Sequence, residues 1–154
     1  MTVSGTQGAL ERDGLVAVAL GERPADLVVR GGRLVNVYSG EIYAADVAVQ
    51  GERIAAVGDV ERCIGPDTTV VEADGRYLVP GFVETHIHVG ATSLTMTELA
   101  RLLVPLGTAV IVTDFTEAGK MRGKAAMRFF LDEAKRTPLQ VYFSPFYTTL
   151  LGIE

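Results

Sequence analysis

Pro80-Gly81-Phe82-Val83-Glu84-Thr85-His86-Ile87-His88 is the stretch of this sequence on which the fold and the chemistry turn. A Pro-Gly break followed by the apolar run Phe82 to Val89 reads as a short buried strand, because both residues punctuate structure and the run is the length of a strand rather than a helix. Side chains two apart on a strand point to the same face, roughly 6 to 7 Å apart at the usual rise of about 3.3 Å per residue. The imidazoles of His86 and His88 can therefore converge on one ion, and they are the only two histidines in the chain. A divalent metal held by two neutral imidazoles keeps positions open for water and brings that water's pKa towards neutrality, which makes hydroxide available for hydrolysis. The plainer reading is a pair of histidines that merely ends a strand. Glu84 shares the phase of the two histidines and is expected one layer below them, buried and in need of a partner, with a supporting rather than a catalytic role.

Beyond the histidines the period lengthens. A helical pattern is followed by an apolar strand over Thr108 to Thr113, a second helical pattern, and a strand over Leu139 to Phe143. Strand, helix, strand, helix, strand implies parallel pairing, and such folds place their sites at the carboxyl ends of the strands, where His86 and His88 sit. Thr95-Met96-Thr97-Glu98 fits a capping box that starts a helix with Leu99, Leu102, Leu103 and Leu106 on one face. A second helix is expected over roughly Gly123 to Arg136, with Ala126, Phe129, Phe130 and Ala134 inward and a stop at Thr137-Pro138. Before Pro80 the grammar is that of short hairpin strands. Asp26 to Val29, Arg33 to Tyr38, Ala45 to Gln50, Arg53 to Val57 and Thr69 to Ala73 are separated by Gly31-Gly32, Ser39-Gly40, Gly51 and Gly58-Asp59, as in a small antiparallel sheet. Leu10 to Leu20 reads as a helix with Leu15, Val16 and Val18 to Leu20 as its apolar part. The implied organisation is a helical segment over 1–22, a small antiparallel sheet unit over 23–79 and a parallel α/β portion over 80–154.

Composition bounds the partners. With 154 residues, 48% hydrophobic and 21% charged, the chain is an ordinary globular sequence able to bury a core. A net charge of -5 without a dense Lys/Arg cluster argues against nonspecific nucleic-acid binding and favours a small-molecule partner. No apolar run approaches the roughly 20 residues of a membrane span, Met1 to Gly8 is no signal peptide, and the single Cys63 permits no intrachain disulfide. A cytoplasmic location is expected, with Cys63 in a packing or surface role. Gly119-Lys120 lacks the glycine spacing of a phosphate loop.

The stretch from Pro80 to His88 resembles the first-strand signature of the amidohydrolase superfamily, whose members pair a metal-bearing (β/α)8 barrel with a small β-sandwich. The surrounding sequence is similar to the amino-terminal portion of adenine deaminases in particular. Pro24-Ala25-Asp26-Leu27-Val28-Val29, Gly32 to Glu41, Arg53-Ile54-Ala55-Ala56-Val57-Gly58 and Gly65-Pro66-Asp67-Thr68 carry this similarity, as do Leu94-Thr95, Val104-Pro105, Gly107-Thr108 and Asp132-Glu133-Ala134-Lys135. The resemblance implies an α/β fold: a small β-sandwich segment followed by the first strands and helices of a (β/α)8 metal-dependent hydrolase barrel. It implies His86 and His88 as ligands of a divalent metal such as zinc, manganese or iron, and hydrolytic deamination of a purine or related aminoheterocycle. Two departures stand out. Those enzymes usually continue with Ile-Glu-Ser-Ser, where this chain has Val89-Gly90-Ala91-Thr92 and so loses an acid beside the metal. At the end of the second strand the usual Asp-Pro-His-Glu is replaced by Asp114-Phe115-Thr116-Glu117, which keeps both acids and loses a histidine. Asp114 and Glu117 either face the site from the strand terminus, supporting the metal ligands from behind or contacting substrate, or simply cap a helix, where Glu117 would favour the dipole.

A (β/α)8 barrel takes about 200 residues or more, so residues 80–154 hold only part of one. The bridging acid, later histidines and catalytic Asp that the resemblance implies are expected outside this chain, which alone is expected to be inactive. Three readings follow: one part of a split or multi-subunit deaminase whose protein partner supplies the rest of the barrel; a non-catalytic structural or regulatory subunit or inactive remnant; and a cyclic-amide hydrolase of the hydantoinase type.

Overall fold

The computed structural model describes residues 5–144, with side chains from residue 12 onward. The outer ends of the first and last expected segments, and the first half of the Met1 to Gly8 stretch, lie outside the described residues. The chain is mixed α/β and divides into two compact units, Met1–Val79 and Pro80–Glu154.

The first unit contains helix α1 (Gly5–Leu20) and strands β1 (Leu27–Asn36), β2 (Glu41–Gln50), β3 (Arg53–Gly58), β4 (Thr69–Glu72) and β5 (Tyr77–Leu78). The hairpin pairings β1–β2 and β2–β3 are antiparallel as the turn residues imply. The expectation of a wholly antiparallel sheet is corrected at β4 and β5, both of which pair parallel to β1. The reason lies in the connection after β3. It runs through a 3-10 turn at Glu61–Cys63, and Ala25 N–H donates to Cys63 O at 2.8 Å while Thr69 N–H donates to Asp26 O at 3.0 Å. The chain is thereby returned to the end at which β1 begins, and a connection this long permits parallel pairing.

Gly31-Gly32 is likewise not a turn but a bulge inside one long strand, so that two expected strands merge into β1. The register steps from Val29 opposite Val47 to Gly32 opposite Ala45. Gly31 takes up the left-handed φ of 71° that such a bulge needs, and its N–H donates to Asp46 Oδ1 at 2.7 Å. Of the apolar residues expected in α1, Val18 is fully buried whereas Val16 and Leu20 are exposed. Val18 packs with Ala25, Val28, Ala48, Val60 and Cys63. The thiol of Cys63 is buried and donates to Val18 O at 3.1 Å, so its role is packing.

The second unit is a parallel three-stranded sheet in the order β6 (Phe82–Ile87), β7 (Thr108–Thr113), β8 (Gln140–Phe143). Helices α2 (Met96–Leu103) and α3 (Thr116–Ala134) make the crossovers. Thr95 caps α2 by accepting from Glu98 N–H at 3.3 Å, but the Glu98 carboxylate pairs with Arg101 at 2.9 Å, so half of the expected capping box forms. Gly123, expected to begin the second helix, instead interrupts it: α3 starts at Thr116 and breaks at Gly123 with φ 58° and ψ −145°.

The core gathers Val89, Met96, Leu99, Ala100, Ile111 and Leu139, with Leu103, Phe130, Ala134 and Phe143 packed against it. The expected inward residues Leu102, Leu106 and Phe129 are exposed. A helix presents a stripe of limited width to a sheet, and Leu102 and Phe129 fall outside it, while Leu106 lies beyond α2 in a 3-10 turn over Val104–Leu106. Ile111→Ala should lower the unfolding free energy by about 2–5 kcal/mol, since it empties a fully buried site. Leu106→Ala, at a surface position, should stay within about 0.5 kcal/mol of wild type; urea denaturation of the two variants distinguishes them.

Candidate metal site

His86 lies near the end of β6 and His88 just beyond it, at the start of a 3-10 turn spanning Val89–Thr92. Their Nε2 atoms are 3.1 Å apart, and the rings meet edge to face with centroids 4.9 Å apart. The far side of the His88 ring faces the end of β7. His88 Nδ1 is 3.1 Å from Asp114 Oδ1 and 3.9 Å from Glu117 Oε1. Asp114 is buried, and its carboxylate is held by Thr116, whose hydroxyl donates to Oδ2 at 3.0 Å and whose backbone N–H donates to Oδ1 at 3.4 Å. Thr113, also buried, accepts Val89 N–H through Oγ1 at 3.3 Å and ties the strand ends together. The histidines open onto a pocket of about 80 Å³ that is also lined by Val112, Asp114 and Ser144.

Parallel strands end at the same edge, and that edge holds the whole constellation. His88, Asp114 and Glu117 each place a potential ligand atom within 4.8 Å of the others. The structure thus brings together four of the five residues singled out from sequence. Glu84 is the exception. It is exposed rather than buried, and its Oε1 accepts the backbone N–H of His86 at 2.9 Å. Phe82 to His86 are all exposed, so neither face of β6 is fully covered among the described residues; the strand also steps in register, with Glu84 opposite Ile111 and Ile87 opposite Thr113, so Thr85 and His86 share the single position Val112. This bulge breaks the strict alternation that had put Glu84 in phase with His88, and bulges of this kind re-aim side chains beside sites.

Two contributors were not read from sequence. Thr116, noted only as the place of a lost histidine, is a hydroxyl donor to Asp114. Gly90, noted only as a lost acid, makes room for Glu117, because a Cβ there would lie 2.8 Å from Glu117 Cβ and 3.1 Å from its Oε2. That Oε2 is buried without a hydrogen-bond partner among the described residues. A glycine two residues after His88 was the only available signal.

Adenine deaminase from Moorella thermoacetica is 44% identical to this chain over 128 residues, covering 83% of the chain and 22% of that enzyme. Adenine deaminase 4 from Rhizobium meliloti is 46% identical over 132 residues, covering 86% and 22%. The chain is an adenine deaminase homologue. It matches the amino-terminal part of those proteins and spans 22% of their length. Among solved structures, a crystal structure of an adenine deaminase superposes with a TM-score of 0.55 at 19% identity, over 77% of this chain and 30% of that one. A D-aminoacylase in complex with CuCl2 gives 0.58 at 23% identity, over 79% and 29%. A D-hydantoinase from Bacillus sp. AR9 gives 0.53 at 27% identity, over 77% and 26%. These likenesses place the fold among amidohydrolase superfamily members. No protein-family model matches the chain.

Gly90→Ala should destabilise the chain by about 1–3 kcal/mol through overpacking against Glu117. Adding Glu117→Gly, which removes the Cβ that a side chain at position 90 would meet at 2.8 Å, should relieve that clash, so a double-mutant cycle by thermal denaturation should show coupling above about 0.5 kcal/mol; additive effects would mean that the two residues do not meet.

Proposed function

We propose that this chain forms the front portion of a metal-dependent amidohydrolase, adenine deaminase-like, acting in hydrolytic deamination of a purine or related aminoheterocycle. The observation that carries the reading is the pair of Nε2 atoms 3.1 Å apart at the carboxyl edge of a parallel sheet. Two imidazoles bound to one ion at about 2.0–2.1 Å each in a tetrahedral arrangement stand roughly 3.3 to 3.4 Å apart, so the donor set fits a divalent metal with little movement. His86 and His88 would hold it. Such an ion, when bound, supplies Lewis acidity and lowers the pKa of water.

The chain's own residues do the arranging. The bulge at Thr85 and His86 turns the two rings onto one point, Glu84 steadies the His86 backbone, and the pocket lined by Ser144 opens beside them. In the deamination, water adds to the ring carbon that carries the amino group, the carbon–nitrogen bond breaks, and ammonia leaves with the transferred proton. No residue of this chain is assigned the proton transfer. The catalytic Asp and the remaining ligands are proposed to come from protein outside these 154 residues, with the chain as one part of a split or multi-subunit enzyme in the cytoplasm. The exposed apolar Phe82 and Val83 on β6 and Tyr142 on β8 support this, since further barrel strands would cover them. Among the described residues no helix is long and apolar enough to cross a membrane.

A second reading is cyclic-amide hydrolysis. It is favoured by the replacement of an acid by Gly90 and by the likeness to a D-hydantoinase.

Purification with natural neighbours, native mass measurement and metal analysis test the proposal. The expected outcome is a copurifying partner or a longer product, at least about one equivalent of divalent metal, and loss of that metal in a His86→Ala, His88→Ala variant. A stable metal-free monomer would sink the split-enzyme reading and leave a non-catalytic subunit or remnant. With the assembled protein, ammonia release from aminopurines supports deamination, and ring opening of hydantoins without ammonia release supports the second reading instead.

A further inference from the structure

We infer that Asp114, clamped by the Thr116 hydroxyl, is the positioning residue that sets the His88 tautomer and presents its Nε2 lone pair to the metal; this rests on His86 and His88 being the ligands. Two carboxylates flank His88 Nδ1, and the distances separate them. Asp114 Oδ1 at 3.1 Å is within hydrogen-bond reach, whereas Glu117 Oε1 at 3.9 Å is not. Asp114 is 5% exposed, and its two oxygens take the hydroxyl and backbone N–H of Thr116 at 3.0 and 3.4 Å. A carboxylate fixed by three donors has little freedom to rotate away.

An ionised carboxylate offers lone pairs only, so the proton of the contact must reside on His88 Nδ1, and Nε2 is left as a bare acceptor. This has a consequence for His86. Its Nε2 lies 3.1 Å from that acceptor, so in the metal-free chain His86 carries its proton on Nε2 and donates to His88. Binding an ion through both Nε2 atoms then requires a tautomer change in His86 alone. His88 is set beforehand, and His86 adapts. The carboxylate–histidine–metal arrangement is known to tune ligand orientation and basicity. What this chain adds is the source of rigidity: Thr116 stands where the resembled pattern has histidine, and its hydroxyl supplies the donor that holds Asp114.

With only two histidines present, the ring nitrogens can be assigned using a His86→Ala variant. Long-range proton–nitrogen NMR of the metal-free 154-residue chain, above the imidazole titration range, should show His88 as Nδ1–H and His86 as Nε2–H. Zn2+ should convert His86 alone. In Asp114→Ala, His88 should lose its fixed Nδ1–H form, and Zn2+ affinity, read by chelator competition, should fall about 10–100-fold. Thr116→Val should cost roughly 2–10-fold, the worth of one hydrogen bond, and Thr116→Ser should recover it. A wild-type His88 in the Nε2–H form overturns the inference. So does Asp114→Ala with tautomer and affinity unchanged while His86→Ala and His88→Ala lose Zn2+. If Asp114→Ala does not fold, the Thr116 pair decides, and equal affinity in Thr116→Val and wild type overturns the clamp. Absence of Zn2+ binding in wild type strikes the metal reading itself, whereas the metal-free tautomers still report on Asp114.

Discussion

Parallel pairing of β6 with β7 is the constraint from which the rest of the second unit follows. Two parallel strands must be joined by a crossover, here α2, and their carboxyl ends therefore meet at one edge. Ile87 stands opposite Thr113, and the next residue of each strand, His88 and Asp114, comes within 3.1 Å although 26 positions separate them in the chain. The core under the sheet holds that edge in place: Ile111 at the centre of β7 is fully buried, with Val89, Met96 and Leu99 around it.

Bringing a carboxylate into a buried position has a cost that only hydrogen bonds and a nearby donor ring offset. Asp114 finds these at the start of α3 in Thr116 and across the strand in His88. Glu117 is less well provided for, with one oxygen buried and unpartnered among the described residues, and it is tolerated because Gly90 leaves space beside it. The loss of an acidic side chain at position 90 and the placement of the Glu117 carboxylate are thus two sides of one packing arrangement.

Much of this was legible before any coordinates. The His86 and His88 pair, the alternation of strands and helices after Pro80, and the Thr95 cap were all readable, because each depends on residues near one another in sequence. What failed were expectations that depend on what lies opposite. Gly31-Gly32 reads as a turn but is a bulge, since whether a flexible pair reverses the chain or widens a strand depends on the partner strand. Glu84 was placed by strict alternation, which the step at Thr85 and His86 undoes. Leu102 and Phe129 share apolar character with their buried neighbours yet lie on exposed parts of their helices, and Leu106 falls in a 3-10 turn past the end of α2.

By itself, then, the sequence determined the element types of the second unit and the presence of two imidazoles able to meet, because strand spacing and helix caps are local. The tertiary structure decided which carboxylate stands behind His88, which hydroxyl holds it, and that β4 and β5 run parallel to β1. These are contacts between segments whose separation in the chain carries no distance information. Only the pairing of strands, and the packing that enforces it, converts them into geometry.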